Sequence, residues 1–118
     1  MSHRSAQETI ELFWQIQNDG DYTQVVKLFA ETAVLVDPVF GVFEGRAAIA
    51  EFMAKMNIEM QSRQTTFKAI EISGGGDTAW AQWLAETPTG TIEGCGLYRV
   101  EEGLLTYYKD YMNPPSSA

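Results

Sequence analysis

Two aspartates, Asp37 and Asp110, are placed in the sequence where a carboxylate could act on a small molecule. Asp37 follows the apolar residues 34–36 and precedes Pro38, which favours extended geometry in the residue before it, so Asp37 should lie at a strand end. A carboxylate flanked by Val, Pro and Phe is poorly hydrated, and desolvation disfavours its charged form. We therefore expect Asp37 to be a catalytic base in a pocket, or alternatively to cap the turn that follows it.

Asp110 lies near the end of the last predicted strand, residues 104–112. Because successive side chains of a strand alternate between faces, Tyr108, Asp110 and Met112 should share one face. The opposite face holds Tyr107, Lys109 and Tyr111. A face that combines Tyr, Asp and Met suits a ligand pocket, so Asp110 is the second predicted catalytic residue; the alternative is that it only closes the strand near solvent.

Aromatic and thioether side chains around these carboxylates predict an apolar pocket. They come from the first and third predicted helices, from a loop over residues 40–45 and from three strands, one of which also supplies an amide. The predicted lining is Phe13, Trp14, Phe40, Phe43, Phe52, Met53, Met56, Trp80, Gln82, Tyr98, Tyr108 and Met112. Ordinary core packing is the alternative for most of them.

Other chemistries lack the residues they need. His3 is the only histidine and is close to the start of the chain, so the sequence predicts neither a His-activated nucleophile nor a His-based metal site. Cys95 is the only cysteine and is interpreted as a small buried side chain. The Gly-rich residues 74–77 lack the Lys of a phosphate-binding loop and predict a hairpin turn. We expect no metal and no cofactor.

Three helices, a short strand before the third of them and four closing strands should position the candidate residues. Ser5 and Glu8 have the spacing of a capping box, so the first helix should begin there and end near Gln17. The other predicted elements are a helix over 22–29, a strand over 34–37, a helix from about 46, and strands over 63–72, 78–86, 91–100 and 104–112. The sequence thus predicts an α+β fold, with three N-terminal helices packed against one face of a curved antiparallel sheet.

Length and charge restrict the function. The 118 residues predict a single domain over 1–118, with flexible tails at 1–4 and 114–118. A net charge of −8 argues against nucleic-acid binding, which depends on clustered Lys and Arg. The sequence has no apolar run long enough for a membrane span and no secretory signal, so a cytoplasmic location is expected.

The order of these motifs is familiar. The chain begins with a helix, Asn-Asp-Gly-Asp at 18–21 and a second helix. Val-Asp-Pro at 36–38, Phe-Glu-Gly-Arg at 43–46 and a closing strand with Tyr-Tyr-Lys-Asp-Tyr at 107–111 follow. This order resembles the nuclear transport factor 2-like superfamily. The likeness is strongest to its SnoaL-like, ketosteroid isomerase-like and limonene-epoxide hydrolase-like branches. It implies a cone-shaped, cystatin-like fold with a deep apolar pocket, commonly in a homodimer built on the sheet.

The resemblance also implies roles for single residues. Asp37 matches the general base of steroid isomerases, but Phe13 and Gly96 stand where those enzymes place their hydrogen-bond donors. Asp110 matches an aspartate of limonene-epoxide hydrolases, whereas Gln82 and Leu84 stand where their Arg and second Asp would be. SnoaL-like cyclases need a carboxylate in an apolar pocket for proton transfer beside a carbonyl, which the resemblance implies Asp37 and Asp110 could supply.

Together these observations predict a protein that binds a small apolar molecule. Its pocket carboxylates would catalyse proton transfer, as an isomerase, a polyketide cyclase or an epoxide hydrolase, or the domain would bind a ligand or partner without catalysis. A sheet face with Trp83, Leu97, Tyr107 and Tyr111 is too apolar to be left in water, which predicts a homodimer.

Overall fold

A computed structural model describes residues 3–112. Its elements, in chain order, are α1 (Ala6–Asn18), a 3₁₀ helix (Tyr22–Leu28), β1 (Phe29–Asp37), β2 (Gly41–Glu44), α2 (Arg46–Ser62), β3 (Thr66–Gly75), β4 (Thr78–Thr87), β5 (Gly90–Glu101) and β6 (Leu104–Met112). The predicted α+β class is confirmed.

The first two helices begin at side chains that accept hydrogen bonds from their first amide groups, whereas α2 begins after a glycine without such a cap. The Ser5 hydroxyl accepts from the Glu8 amide and the Glu8 carboxylate accepts from the Ser5 amide, which confirms the predicted capping box. The second predicted helix forms, but as a 3₁₀ helix, and Asp21 caps it by accepting from the Thr23 amide. Before α2, Gly45 has φ of 90°, a conformation that glycine adopts without strain.

All six strands join one sheet in the order β2-β1-β6-β5-β4-β3. The four C-terminal strands pair antiparallel as predicted, and β1 pairs antiparallel with β2. The expectation of a wholly antiparallel sheet is wrong in one place, because β1 runs parallel to β6. β2, α2 and the strands β3, β4 and β5 separate these two strands in sequence, a connection long enough for β1 and β6 to run in the same direction.

Two predicted boundaries change for reasons of pairing. β1 begins at Phe29 rather than Val34, since Phe29 already aligns with Leu105 of β6. The predicted loop over 40–45 contains a strand, β2, in which Val42 and Phe43 pair with Val36 and Leu35. The segment after Asp37 is therefore a hairpin, and its position is fixed by the sheet.

The core lies between the helices and the inner face of the sheet. α1 packs over β3, β4 and β5, whereas α2 packs over β1, β2 and the 3₁₀ helix. Phe13 of α1 is fully buried at the centre, in contact with the rings of Trp14, Phe29, Tyr98 and Tyr108. A cavity lined by residues of both helices lies above the sheet.

The predicted tails fall mostly outside the described residues, since 1–2 and 114–118 are not among them. Arg4, assigned to the first tail, donates a hydrogen bond to the Gly103 carbonyl at 3.0 Å and is held against the β5–β6 turn. Among residues 3–112, no helix combines the length and the hydropathy that crossing a membrane would require.

Candidate functional site

A cavity of about 450 Å³ lies between α2, α1 and the inner face of the sheet. This volume is in the range of small-molecule sites. Its wall is mainly aromatic, aliphatic and thioether side chains. Nine predicted site residues line it: Trp14, Asp37, Phe40, Phe52, Met53, Met56, Tyr108, Asp110 and Met112.

Asp37 and Asp110 lie side by side in this cavity. In the parallel pairing of β1 with β6, Leu35 aligns with Tyr108 and Val36 with Lys109, so Asp37 and Asp110 are the next residues of adjacent strands. Leu35 and Tyr108 are both buried against the helices, and the aspartates two residues on point to the same side. The parallel strand pairing therefore brings together two carboxyl groups that are distant in sequence.

Asp110 is held by two hydrogen bonds from buried aromatic residues. The Trp83 indole nitrogen donates to Oδ1 at 3.0 Å, and the Tyr108 hydroxyl donates to Oδ2 at 2.7 Å. Its carboxyl group is enclosed by protein, and the part left open faces the cavity. Burial raises the pKa of Asp110 to about 7, while the hydrogen bonds from Tyr108 and Trp83 oppose this rise and the charge of Asp37 adds to it.

Trp83, which donates one of these bonds, lies on the inner face of β4 and not on the outer face expected from the sequence. Trp83 is 4% exposed and lines the cavity, whereas Trp80 is 50% exposed on the outer face, together with Gln82. The prediction that Trp80 and Gln82 line the pocket is therefore wrong. The inner face of β4 is Trp83 with three alanines, Ala79, Ala81 and Ala85, whose small side chains leave room for α1.

A signal for this orientation was present in β5. Gly94 is the cross-strand partner of Trp83, and a Cβ at Gly94 would collide with the indole ring. Glycine inside a strand often marks the close approach of another group. The Gly-Cys-Gly sequence at 94–96 thus indicates that a large ring lies over β5. That ring is the indole of Trp83, on the neighbouring strand β4.

Three other predicted lining residues lie near the cavity without forming its wall. Phe13 and Tyr98 are fully buried behind it, and Tyr98 accepts a hydrogen bond from the Trp14 indole nitrogen at 3.1 Å. Phe43 stacks on Phe52 with ring centroids 4.3 Å apart and faces a separate groove outside α2. Burial raises the pKa of both Tyr98 and Tyr108 well above the ordinary value, so both phenols stay protonated.

Asp37 has a structural task in addition to its place in the cavity. Its Oδ1 accepts hydrogen bonds from the amides of Val39 and Phe40 at 2.8 and 3.0 Å, which closes the turn between β1 and β2. This is the turn-capping role that sequence analysis left as an alternative. Desolvation by burial acts on the other carboxyl group of the cavity, Asp110.

The wall of the cavity also contains groups that are not among the predicted site residues. Tyr22, Phe67 and Met60 contribute to it, as do the polar residues Arg63, Thr65, Thr87 and Thr89. Arg63 pairs with Glu59 at 3.0 Å. Within residues 3–112, no three His, Cys, Asp or Glu side chains converge as ligands for a metal ion.

This arrangement can carry out acid–base chemistry. A carboxyl group with a pKa near 7 exchanges protons readily at neutral pH, in either direction. Each carboxylate oxygen offers two acceptor positions, so the bonds from Trp83 and Tyr108 leave Asp110 able to take a proton from a bound molecule.

Comparisons with known proteins agree on the fold. Residues 10–108 match the SnoaL-like domain. An NTF2-like protein of unknown function from Mesorhizobium loti is 24% identical, with a TM-score of 0.78 over 97% of each chain. A putative ketosteroid isomerase from Kribbella flavida is 14% identical, with a TM-score of 0.78 over 96% of this chain and 81% of that one.

A third solved structure is SalBIII, an epoxide hydrolase/cyclase-like enzyme with a role in pyran ring formation in the polyether salinomycin. It is 22% identical, with a TM-score of 0.74 over 92% of this chain and 90% of its own. No curated protein matches the chain.

Proposed function

Because the chain belongs to the SnoaL-like domain family of the NTF2-like superfamily, we propose that it binds a small apolar molecule in the cavity and catalyses proton transfer on it. The family includes cyclase, hydrolase and isomerase members. The reaction proposed here uses the chain's own carboxyl groups as acid and base, with no cofactor.

One observation supports this proposal above all others. Asp110 places a carboxyl group with a pKa of about 7 in a cavity whose other walls are mainly apolar. A base works best when its pKa is near the working pH, and enzymes often reach this value by burying a carboxylate. No cation faces this carboxyl group among the charges of the described residues that shift its pKa; the charge that acts on Asp110 is the second carboxylate, Asp37, on the adjacent strand.

The proposed step is the removal of a proton from a carbon next to a carbonyl group. The Asp110 carboxylate takes the proton and becomes a carboxylic acid, while the C–H electron pair forms a carbon–carbon double bond and the carbonyl π pair moves to the oxygen, which gives an enolate. The acid then returns a proton to the same carbon or to another atom of the ligand. Trp83 and Tyr108 position Asp110, and the nearby charge of Asp37 favours its protonated form.

Hydrogen exchange into a simple ketone tests this step without knowledge of the natural ligand. The protein is incubated with 4-phenylcyclohexanone in D₂O, and loss of the signals of the hydrogens beside the carbonyl is followed by proton NMR. We expect the catalysed rate to rise with pH through about 7, as Asp110 ionises. Asp110→Asn should abolish this rate, and Asp77→Asn, in the exposed turn between β3 and β4, should preserve it.

The second candidate function is ligand binding without turnover. It is favoured by one observation, that Asp110 already accepts a hydrogen bond on each carboxylate oxygen and Asp37 uses Oδ1 for its turn. The same ketone separates the two candidates. Quenching of tryptophan fluorescence reports binding near Trp83 and Trp14, and binding with no catalysed exchange at any pH would reject the enzyme in favour of the binding protein.

We further propose that the protein forms a homodimer through the outer face of its sheet. This face presents Trp80 at 50%, Ile70 at 53% and Tyr111 at 46% exposure, and Leu97 aligns with Trp80. Exposed apolar side chains in such a patch are typical of a protein interface. The surface expected from the sequence contained Trp83, but this residue is buried on the inner face of the sheet. Trp80 takes its place on the outer face.

A further inference from the structure

Two buried tyrosines lie between Trp14 and Asp110. The Trp14 indole nitrogen donates a hydrogen bond to the Tyr98 hydroxyl at 3.1 Å, and the Tyr108 hydroxyl donates one to Asp110 Oδ2 at 2.7 Å. Tyr98 of β5 and Tyr108 of β6 are cross-strand partners, with ring centroids 4.5 Å apart. The acceptor of the first bond is therefore the cross-strand neighbour of the donor of the second.

The two hydroxyl groups meet over one pair of residues in the sheet. A Cβ built at Gly96 would lie 2.6 Å from the Tyr98 hydroxyl oxygen, so this side chain extends along β5 over Gly96. Gly96 is the cross-strand partner of Asp110, to which the Tyr108 hydroxyl bonds. A side-chain hydrogen bond between the two phenols also contributes to the pKa of each. The two phenols can therefore join the two bonds into one chain.

The number of protons sets the direction of this chain. An indole N–H can only donate, so the Tyr98 oxygen accepts from Trp14. The Tyr98 proton then needs another acceptor, because Tyr98 is fully buried and buried hydroxyls are usually bonded. Tyr108 uses its single proton on Asp110 and keeps a lone pair free. If Tyr108 donated to Tyr98 instead, neither Tyr108 nor Trp14 could accept the Tyr98 proton.

We propose that the Tyr98 hydroxyl donates to the Tyr108 oxygen and thereby completes a chain of hydrogen bonds that runs from Trp14 to Asp110. The chain keeps a donor on Oδ2 of Asp110, as Trp83 does on Oδ1, so the carboxyl group exchanges its proton on the side that faces the cavity. This inference rests on the proposed function, in which Asp110 is the base. Tyr98 does not line the cavity, so it is a positioning residue that acts through Tyr108.

The chain also opposes the forces that protonate Asp110. Burial and the charge of Asp37 on β1 raise the pKa of Asp110. The hydrogen bonds from Tyr108 on the same strand and from Trp83 on β4 lower it. A hydroxyl that accepts a hydrogen bond donates a stronger one, by roughly 10–30%. Tyr98 should therefore strengthen the Tyr108 bond to the carboxylate and help Asp110 to ionise near neutral pH.

A double-mutant cycle tests the chain in the ligand-free protein. Carbon-detected NMR measures the pKa of Asp110 in the wild type, Tyr98→Phe, Tyr108→Phe and the double variant, in which only hydroxyl groups are removed. Tyr107→Phe is the matched control, because this phenol lies on the opposite face of β6, with the Arg99 guanidinium 5.9 Å from its ring centroid. Thermal melts check that each variant folds.

We expect Tyr98→Phe to raise the pKa of Asp110 by about 0.3, because Tyr108 becomes a weaker donor. Tyr108→Phe removes the direct bond to the carboxylate and should raise this pKa by about 1. In the Tyr108→Phe background, Tyr98→Phe should add nothing, since its effect passes through the Tyr108 hydroxyl. Trp14→Phe removes the first donor and should act in the same direction as Tyr98→Phe, which provides the test if Tyr98→Phe does not fold. Tyr107→Phe should leave the pKa unchanged.

Two results would overturn the chain and leave the proposed function intact. One is an unchanged pKa of Asp110 in Tyr98→Phe. The other is an equal rise with and without the Tyr108 hydroxyl, which is the result expected if Tyr98→Phe merely disturbs the packing. The proposed function fails separately, if the wild type catalyses no hydrogen exchange, because the NMR titration requires no turnover.

Discussion

The indole nitrogen of Trp83 on β4 donates a hydrogen bond to Asp110 on β6, although β5 lies between the two strands. The indole can reach over β5 because its cross-strand partner there is Gly94, which has no side chain to block it. The position of the candidate catalytic carboxyl group thus depends on a glycine that has no chemistry of its own.

The first prediction concerns this glycine. A Cβ at Gly94 would collide with the Trp83 ring and would lie 2.6 Å from the Tyr111 carbonyl oxygen, so Gly94→Ala must move the indole or the backbone. We expect a loss of about 1–3 kcal/mol in the free energy of unfolding, as for other overpacked sites, and a shift in the tryptophan fluorescence. Urea unfolding measures both.

Gly75→Ala in β3 is the matched control, since nothing lies within 4 Å of a Cβ built there. Its stability should stay close to that of the wild type. If Gly94→Ala is as stable as Gly75→Ala, the indole does not lie over β5.

The second prediction concerns pH and stability. The pKa of Asp110 is about 7 in the folded chain and near the ordinary value of 3.8 in the unfolded chain, so folding favours its protonated form. The contribution of protonated Asp110 to the free energy of unfolding is complete below about pH 3.8. It falls as pH rises and is lost once pH passes 7. The loss should be on the order of a few kcal/mol.

Asp110→Asn should remove this loss, because the amide is neutral at every pH and keeps an acceptor for Trp83. The difference in unfolding free energy between variant and wild type should therefore move in favour of the variant from pH 4 to pH 8. Urea titrations at both values measure it. A difference that is constant with pH would mean that Asp110 ionises as an ordinary exposed aspartate.

The third prediction separates the two roles of Asp37. Asp37→Ala removes the acceptor of the Val39 and Phe40 amides and should lower the free energy of unfolding by about 1 kcal/mol. Asp37→Asn keeps a side-chain oxygen for the turn but removes the charge. It should preserve most of the stability and lower the pKa of Asp110, which the Asp37 charge raises.

Carbon-detected NMR of the Asp110 carboxyl group measures this pKa in the wild type and in Asp37→Asn. Identical titration curves would show that the two carboxyl groups do not interact. Equal destabilisation by Asn and Ala at position 37 would show that the turn requires the charge itself.

The fourth prediction concerns assembly. A negative charge at the centre of the outer sheet face should prevent a dimer, so Trp80→Glu should sediment as a monomer at micromolar concentration while the wild type sediments as a dimer. Ile58→Glu is the control, since Ile58 is 69% exposed on α2, away from this face. A monomeric wild type, or equal effects of both substitutions, would reject the interface.

The fold and one half of the site were accessible from the sequence because their signals are local. The capping box, the turns and the alternation in β6 each depend on residues a few positions apart, and they predicted α1, the hairpins and the inward direction of Asp110. The parallel pairing of β1 with β6 is a contact between distant segments and has no local signal. For β4, alternation identified two faces but could not say which one α1 covers.

The inner position of β6 also has a consequence for how the chain is made. β6 pairs with β1 on one side and β5 on the other, yet it is the last of the six strands to be synthesised. Until it inserts, β1 and β5 both expose an unpaired edge, and strands with free edges are sites of aggregation. The nascent protein therefore passes through a stage in which the β1–β2 hairpin and the β3–β4–β5 meander are not yet joined by β6. A delay before residue 104 is translated would prolong the exposure of their free edges.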